Sequence, residues 1–157
     1  MNAYNKYQQN QVLSASPEQI LLMLFDGAIR FTRQAIIALE EDNSAGFYHG
    51  ISKAMAIVTE LSNSLDHAVG GEIAENLDAL YHFMTQELIQ ANLHKDMAKL
   101  RVVEGLLVDL RSTWGEAIKI NKQEQQIPVQ QTLSIPKAPY HSSMSVPDGY
   151  VPLSVCR

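Results

Sequence analysis

Residues 47–68, FYHGISKAMAIVTELSNSLDHA, decide the fold class of this 157-residue chain. Apolar side chains recur there every three or four positions, at Phe47, Ile51, Ala54, Val58, Leu61, Leu65 and Ala68. This spacing places one side chain of every turn on the same side of an α-helix. The pattern is typical of a seam that packs against antiparallel neighbouring helices.

Three further segments show the same period, so four long helices are predicted. We expect them at residues 17–41, 44–68, 72–93 and 97–122. Ser16 and Gln19 form a capping-box pattern before the first helix, and Asp96 is a plausible cap for the fourth. Gly70 and Gly71 are expected to end the second helix. Because the connections are short, neighbours should run antiparallel, which predicts an all-α, up-down four-helix bundle.

Glycine and proline mark special positions. Gly27 inside the first helix costs about 1 kcal/mol relative to alanine, and close helix packing is a reason to tolerate it. Five of the six prolines follow Lys122, and proline does not continue a helix. We therefore predict a helical bundle over residues 16–122 and a Pro-rich, disordered tail over 123–157. Residues 1–15 form a polar N-terminal segment. A short additional helix within 2–12 is an option, but the polar run gives it little reason to form unaided.

Charge and cysteine content argue against several classes of protein. The net charge is −5 and the chain has no run of basic residues, which disfavours nucleic acid or an anionic membrane as a partner. The longest apolar run, Ile20 to Phe25, is too short to cross a bilayer, so no membrane insertion is expected. The single cysteine, Cys156, cannot form an internal disulfide, and the polar start lacks the apolar core of a signal peptide. These features indicate a cytoplasmic protein.

The sequence contains no convincing catalytic constellation. A dimetal bundle would need two Glu-x-x-His motifs, and none occurs. Glu75, Asp78 and His82 share one side of the third helix, where a solvated polar face explains them better than a metal site. Phosphate loops, dinucleotide fingerprints and nucleophile elbows are also missing. We therefore expect no enzyme activity, no cofactor and no metal, and periodicity alone indicates only a four-helix bundle.

Several short strings are more specific than the helical period. YQQNQVL at residues 7–13 precedes SASP, and LFDGAI follows at 24–29. SLD, GGEIAENL and LYHFM lie at 64–66, 70–77 and 80–84, and QAN at 90–92 and DLR at 109–111 with Trp114 continue the series. This ordered set resembles the FliS family of flagellar secretion chaperones. The resemblance covers about residues 4–120 without a large gap.

The resemblance implies a cytoplasmic export chaperone that binds the C-terminal region of flagellin. Such a protein prevents premature polymerisation and assists delivery to the flagellar export gate of the type III apparatus. It also implies that residues 1–15 cover part of the client groove and move aside. A monomer or weak homodimer is expected.

Tyrosines and apolar residues are our candidates for partner contacts. They are Tyr4, Tyr7, Leu13, Ile20, Leu24, Leu65, Ile73, Leu77, Leu80 and Tyr81. The alternative for each helical member of this set is that it belongs to the core.

Two questions stay open at this level. A general helical adaptor for another flagellar or secretion component would have the same fold. The tail also carries recurring apolar residues, and its end, VPLSVCR at 151–157, loosely resembles a flagellin C-terminus. One hypothesis is that the tail lies in the client groove when flagellin is absent, and the alternative is a disordered tail with chance apolar content.

Overall fold

Four long helices account for most of the residues that the computed structural model describes, which are 14–126 together with Ala3, Asn5 and Lys6; these last three and Ser14 are also helical. We number them α1 (Pro17–Glu40), α2 (Ser44–Asn63), α3 (His67–His94) and α4 (Met97–Gln125). The described residues contain no strand, and the all-α prediction is confirmed. The tail from residue 127 onward, with its self-ligand hypothesis, falls outside the described residues.

Side-chain caps fix where the helices begin. The Ser16 hydroxyl accepts a hydrogen bond from the Gln19 backbone N–H at 3.3 Å, and the Gln19 side chain accepts one from the Ser16 N–H at 3.0 Å. This is the predicted capping box. The Asp96 carboxylate accepts from the Ala98 and Lys99 N–H groups at 3.0 and 3.4 Å, so the predicted cap of α4 is also confirmed. Each cap satisfies backbone donors that have no partner within the helix.

The boundary between α2 and α3 differs from the prediction. The second helix ends at Asn63 rather than near Ala68, and Gly70-Gly71 does not end it. Instead the Asp66 carboxylate accepts hydrogen bonds from the N–H groups of Ala68 and Val69, at 3.0 and 3.1 Å, and starts α3 five residues before the predicted Glu72. An aspartate is among the strongest capping residues, so it outweighs the glycines as a boundary signal.

Gly71 interrupts α3 close to its beginning. Its backbone has φ 48° and ψ −125°, a conformation that glycine adopts readily and other residues avoid. The helix therefore consists of one short turn before Gly71 and a long regular stretch after it. At its other end α4 continues to Gln125, three residues beyond the predicted end at Lys122.

The helices run antiparallel in the predicted up-down order. The order of residue contacts reverses along α1 and α2, since the backbone of Gly46 lies close to Ala38 and that of Gly27 lies close to Ile57. Three ion pairs join α1 to α4, also in reversed order: Glu40–Arg101, Arg33–Glu104 and Asp26–Arg111. A hydrogen bond of 2.6 Å from Ser62 to Asp78 joins α2 to α3. These contacts confirm the four-helix bundle.

Small residues bring α1 and α2 unusually close. A Cβ atom added at Gly50 would lie 2.8 Å from the Ala35 amide nitrogen and 2.8 Å from the Phe31 carbonyl oxygen. Ala35 and Ala54 are themselves fully buried. The predicted close packing at Gly27 is real as well, because a Cβ there would lie 3.2 Å from the Ile57 Cδ1 atom.

Residues 14–120 belong to one compact unit, and residues 121–126, which include the end of α4, belong to a second. The core described below belongs to the first unit. Its largest fully buried side chains come from α1 to α4: Phe25, Phe47, Ile51, Leu61, Tyr81, Met84, Leu88, Leu100 and Leu107.

Candidate functional site

Burial changes along the bundle, and one end is incompletely covered. Fully buried positions begin at Phe25 in α1, while the last ones in α2 are Val58 and Leu61. In an antiparallel bundle the start of α1, the end of α2 and the start of α3 meet at the same end, beside the second half of α4. Apolar side chains at this end only partly pack against the core; they are Leu21, Leu24, Leu65, Leu77, Leu80, Leu110 and Trp114.

Two isoleucines extend this surface toward solvent. Ile20 at the beginning of α1 is 37% exposed, and Ile73 in α3 is 67% exposed. We refer to these two residues and the seven half-buried ones together as the apolar end. Exposed isoleucine is ordinary when it is isolated, whereas several incompletely covered apolar side chains at one end of a bundle make that end a candidate interaction site. The arrangement suits a partner that supplies apolar side chains.

The interruption at Gly71 lies beside the apolar end. Val69 and Ile73 flank it, and they are 86% and 67% exposed. The buried residues of the regular stretch after Gly71 are Ala74, Tyr81, Met84, Leu88 and Ala91. Ile73 lies one position off this buried line, so its side chain stays outside the core.

The structure divides the predicted partner residues into three groups. Ile20 and Ile73 are exposed, and Leu24, Leu65, Leu77 and Leu80 are half-buried at the apolar end. Tyr81 is only 2% exposed and belongs to the core cluster. Tyr4, Tyr7 and Leu13 lie outside the described residues.

Tyr81 therefore packs in the core of the bundle. Burial raises the pKa of its phenol to about 12, because the ionised form would lose its hydration. One edge of the residue lines a groove between α2 and α3.

The groove between α2 and α3 is polar. Ser62, His67, Glu75, Asp78 and His82 line it together with the edge of Tyr81. Asp78 already accepts the 2.6 Å hydrogen bond from Ser62, so part of its capacity is used within the chain. Across the described residues, no three His, Cys, Asp or Glu side chains are grouped as metal ligands. The groove offers hydrogen-bonding groups to solvent.

Some exposed apolar residues were not predicted as contacts. Val69 and Met23, at 86% and 40% exposure, lie near the apolar end, and Leu93, at 67%, lies at the far end of α3. Val69 precedes the glycine pair, which was a usable signal. Met23 sits inside the apolar run of α1, where periodicity does not separate an inward from an outward position.

No helix within the described residues combines the length and the apolar character that crossing a membrane requires.

Comparison with known proteins identifies the class. Residues 1–121 match the family described as "Flagellar protein FliS". The chain is 35% identical over 124 residues to the flagellar secretion chaperone FliS of Bacillus subtilis strain 168, covering 79% of this chain and 92% of that protein. It is 41% identical over 109 residues to FliS of Salmonella typhimurium strain LT2, covering 69% and 81%.

A solved structure supports the fold independently. The crystal structure of a flagellar chaperone from bacteria superposes with a TM-score of 0.58 at 18% identity, covering 76% of this chain and 97% of that one. All of these proteins are chaperones of the flagellar system. The chain belongs to the FliS family, whose members are secretion chaperones and not enzymes.

Proposed function

We propose that this chaperone binds the C-terminal region of flagellin in the cytoplasm, prevents its premature polymerisation and assists its delivery to the flagellar export gate. The observation that supports the proposal best is the apolar end, where α1, α3, α4 and the connection after α2 contribute incompletely covered apolar side chains. A disordered client segment gains contact area by lying on such a surface, and this gain is offset by the entropy of ordering it.

The energy of one contact can be bounded from exposure. Fully burying an isoleucine side chain stabilises a complex by about 1.5–3 kcal/mol. Ile73 has 67% of its surface exposed, so covering it contributes on the order of 1–2 kcal/mol. Several such contacts are needed for micromolar binding, because association also loses translational and conformational freedom.

A matched pair of variants tests the location. Ile73 and Leu93 lie on the same helix, and each is 67% exposed, but they occupy opposite ends of α3. Ile73→Ser should weaken binding of a labelled flagellin C-terminal peptide about fivefold or more, as measured by fluorescence anisotropy. Leu93→Ser removes a similar apolar side chain and should leave the affinity within twofold.

Two outcomes would count against the proposal. Equal effects of Ile73→Ser and Leu93→Ser would mean that the apolar end is not the client surface. If the flagellin peptide does not bind at micromolar concentration and a different flagellar component does, the chain is a general adaptor. Circular dichroism of both variants excludes unfolding as the cause of lost binding.

A further inference from the structure

The arginines of this chain are concentrated on one face of the bundle. The chain has five arginines and a net charge of −5. Four of the five, Arg30, Arg33, Arg101 and Arg111, lie on α1 and α4, and three of them pair across these two helices. The fifth lies in the tail, and α2 and α3 carry none. An otherwise acidic chain thus places its guanidinium groups on the α1–α4 face.

These two helices border a groove that is lined by apolar and basic side chains. Asp26, Ile29, Arg30, Arg33, Gln34, Ile37, Val108, Arg111 and Ser112 line it, and we call it the arginine groove. Ile37 and Val108 are 51% and 37% exposed. Its lining contains three arginines and one aspartate, and Glu104, which pairs with Arg33, reduces the local net charge to one positive charge.

The ion pairs already present leave donors available. Arg33 contacts Glu104 through its Nε atom at 2.6 Å, and Arg111 contacts Asp26 through Nε and Nη2 at 2.8 and 3.3 Å. A guanidinium has five N–H donors, so each of these arginines retains capacity for a second carboxylate. Within residues 14–126, no carboxylate forms an ion pair with Arg30.

A second observation that points to a partner protein is the glycine at position 105. It lies inside α4, three residues before Val108 and four after Arg101, and therefore on the same side of the helix. A Cβ atom there would meet nothing within 4 Å, and its backbone is not in the left-handed region. A glycine inside a helix costs about 1 kcal/mol relative to alanine. Neither close packing nor backbone conformation within the chain requires a glycine at position 105. Because it has no side chain, Gly105 leaves room for the backbone of another helix to approach.

We propose that the arginine groove binds an acidic amphipathic helix of a second protein, at a site separate from the apolar end. Apolar side chains of that helix would cover Ile37 and Val108, and its carboxylates would contact Arg30 and the free donors of Arg33 and Arg111. The groove follows α1 from Asp26 to Ile37, which is about 17 Å at ~1.5 Å per residue, or about three helical turns. The acidic surface elsewhere would repel such a helix, so local charge complementarity gives the site its specificity.

Two designed peptides test the charge requirement. The acidic probe is a fluorescein-labelled 15-residue helix with leucine at positions i, i+4, i+7 and i+11 and mainly glutamate elsewhere. The basic probe carries lysine in place of every glutamate. Fluorescence anisotropy with the full chain should show the acidic probe binding at least tenfold more tightly. Affinity for the acidic probe should fall as salt rises from 50 to 300 mM, because salt screens exposed charges.

Variants then locate the site. Arg30→Glu should weaken binding of the acidic probe at least tenfold. Lys53→Glu makes the same change of charge at an exposed position of α2 and should weaken it less than threefold. Gly105→Gln fills the open space with a better helix former, so it should weaken the probe while the melting temperature stays the same or rises. All three variants should bind the flagellin peptide like the unaltered chain.

Several results would overturn the proposal. They are equal binding of the two probes, equal effects of Arg30→Glu and Lys53→Glu, or loss of the acidic probe on Ile73→Ser, which would place it at the apolar end. The flagellin peptide is read in parallel, so failure of the groove is distinguishable from failure of the chaperone proposal. If the acidic probe does not bind the arginine groove but the flagellin peptide still binds the chain, the apolar end remains the proposed client surface.

Discussion

Replacing Gly50 with alanine tests how closely α1 and α2 approach each other. The added Cβ atom would lie 2.8 Å from both the Ala35 nitrogen and the Phe31 carbonyl oxygen, which is well inside van der Waals contact. These are backbone atoms of a packed helix, so they cannot rotate away as a flexible side chain can. One of the helices must shift, and the neighbouring buried alanines lose contact when it does.

The magnitude follows from two opposing effects. Overpacking a well-packed core costs about 1–3 kcal/mol, and the upper part of this range applies because backbone atoms are involved. Alanine is about 1 kcal/mol better than glycine inside a helix, which offsets part of that cost. We expect Gly50→Ala to lower the free energy of unfolding by about 2 kcal/mol. At roughly 4 °C per kcal/mol, the melting temperature should fall by about 8 °C.

Gly105→Ala is the matched control. Gly105 is also inside a helix, but nothing lies within 4 Å of its added Cβ atom. It should therefore show only the propensity gain, up to about 1 kcal/mol of added stability. Urea unfolding followed by circular dichroism measures both variants, and they should differ by about 3 kcal/mol, the sum of the two effects. If Gly50→Ala is as stable as Gly105→Ala, the conclusion that α1 and α2 approach this closely at Gly50 is refuted.

Three further predictions concern a cap, a buried phenol and a buried hydroxyl. Asp66→Ala removes the cap of α3 and should cost about 1 kcal/mol in urea unfolding, whereas Asp66→Asn, which keeps an acceptor, should cost less. Burial raises the pKa of Tyr81 to about 12, above the value of about 10 in the unfolded chain. The protonated phenol therefore contributes fully to stability below pH 10, and this contribution is lost as the pH rises toward 12. The stability of the unaltered chain should therefore fall more steeply than that of Tyr81→Phe over this window, and parallel curves would contradict the burial of the phenol. Thr32 is fully buried, and its hydroxyl donates a hydrogen bond to the Ala28 carbonyl at 2.8 Å. Thr32→Val removes this donor without leaving a backbone group unpaired, so the free energy of unfolding should stay within about 1 kcal/mol of the unaltered chain. A loss above about 3 kcal/mol would show that the hydroxyl has another role.

The sequence predicts the helices well where a local signal dominates. The Ser16 capping box and the Asp96 cap are interactions within three residues, so they can be identified without knowing the fold. The predicted end of α2 was wrong because two local signals compete. The heptad spacing continues through Leu65 and Ala68, and the Gly70-Gly71 pair resembles a helix end, but the Asp66 carboxylate starts the next helix earlier.

The candidate surfaces were less predictable, because each depends on contacts far apart in sequence. Periodicity places Ile73 and Tyr81 on the same apolar side, yet one is 67% exposed and the other 2%. Their difference follows from their angular positions on α3, because Tyr81 lies on the buried line with Ala74 and Met84, and Ile73 lies one residue off it. The arginine groove could not be predicted, since Arg33 and Glu104 are 71 residues apart and only the antiparallel packing joins them.

The interruption at Gly71 also has a kinetic consequence for α3. A helix unwinds cooperatively because each backbone hydrogen bond is supported by its neighbours. A residue with non-helical φ and ψ ends that support, so the turn from His67 to Gly70 can open while the remainder of α3 stays folded. Amide protons of this turn should therefore exchange with solvent much faster than those of Met84 or Leu88. This secretion chaperone thus carries, next to its exposed apolar residues, a segment able to rearrange on a timescale of its own.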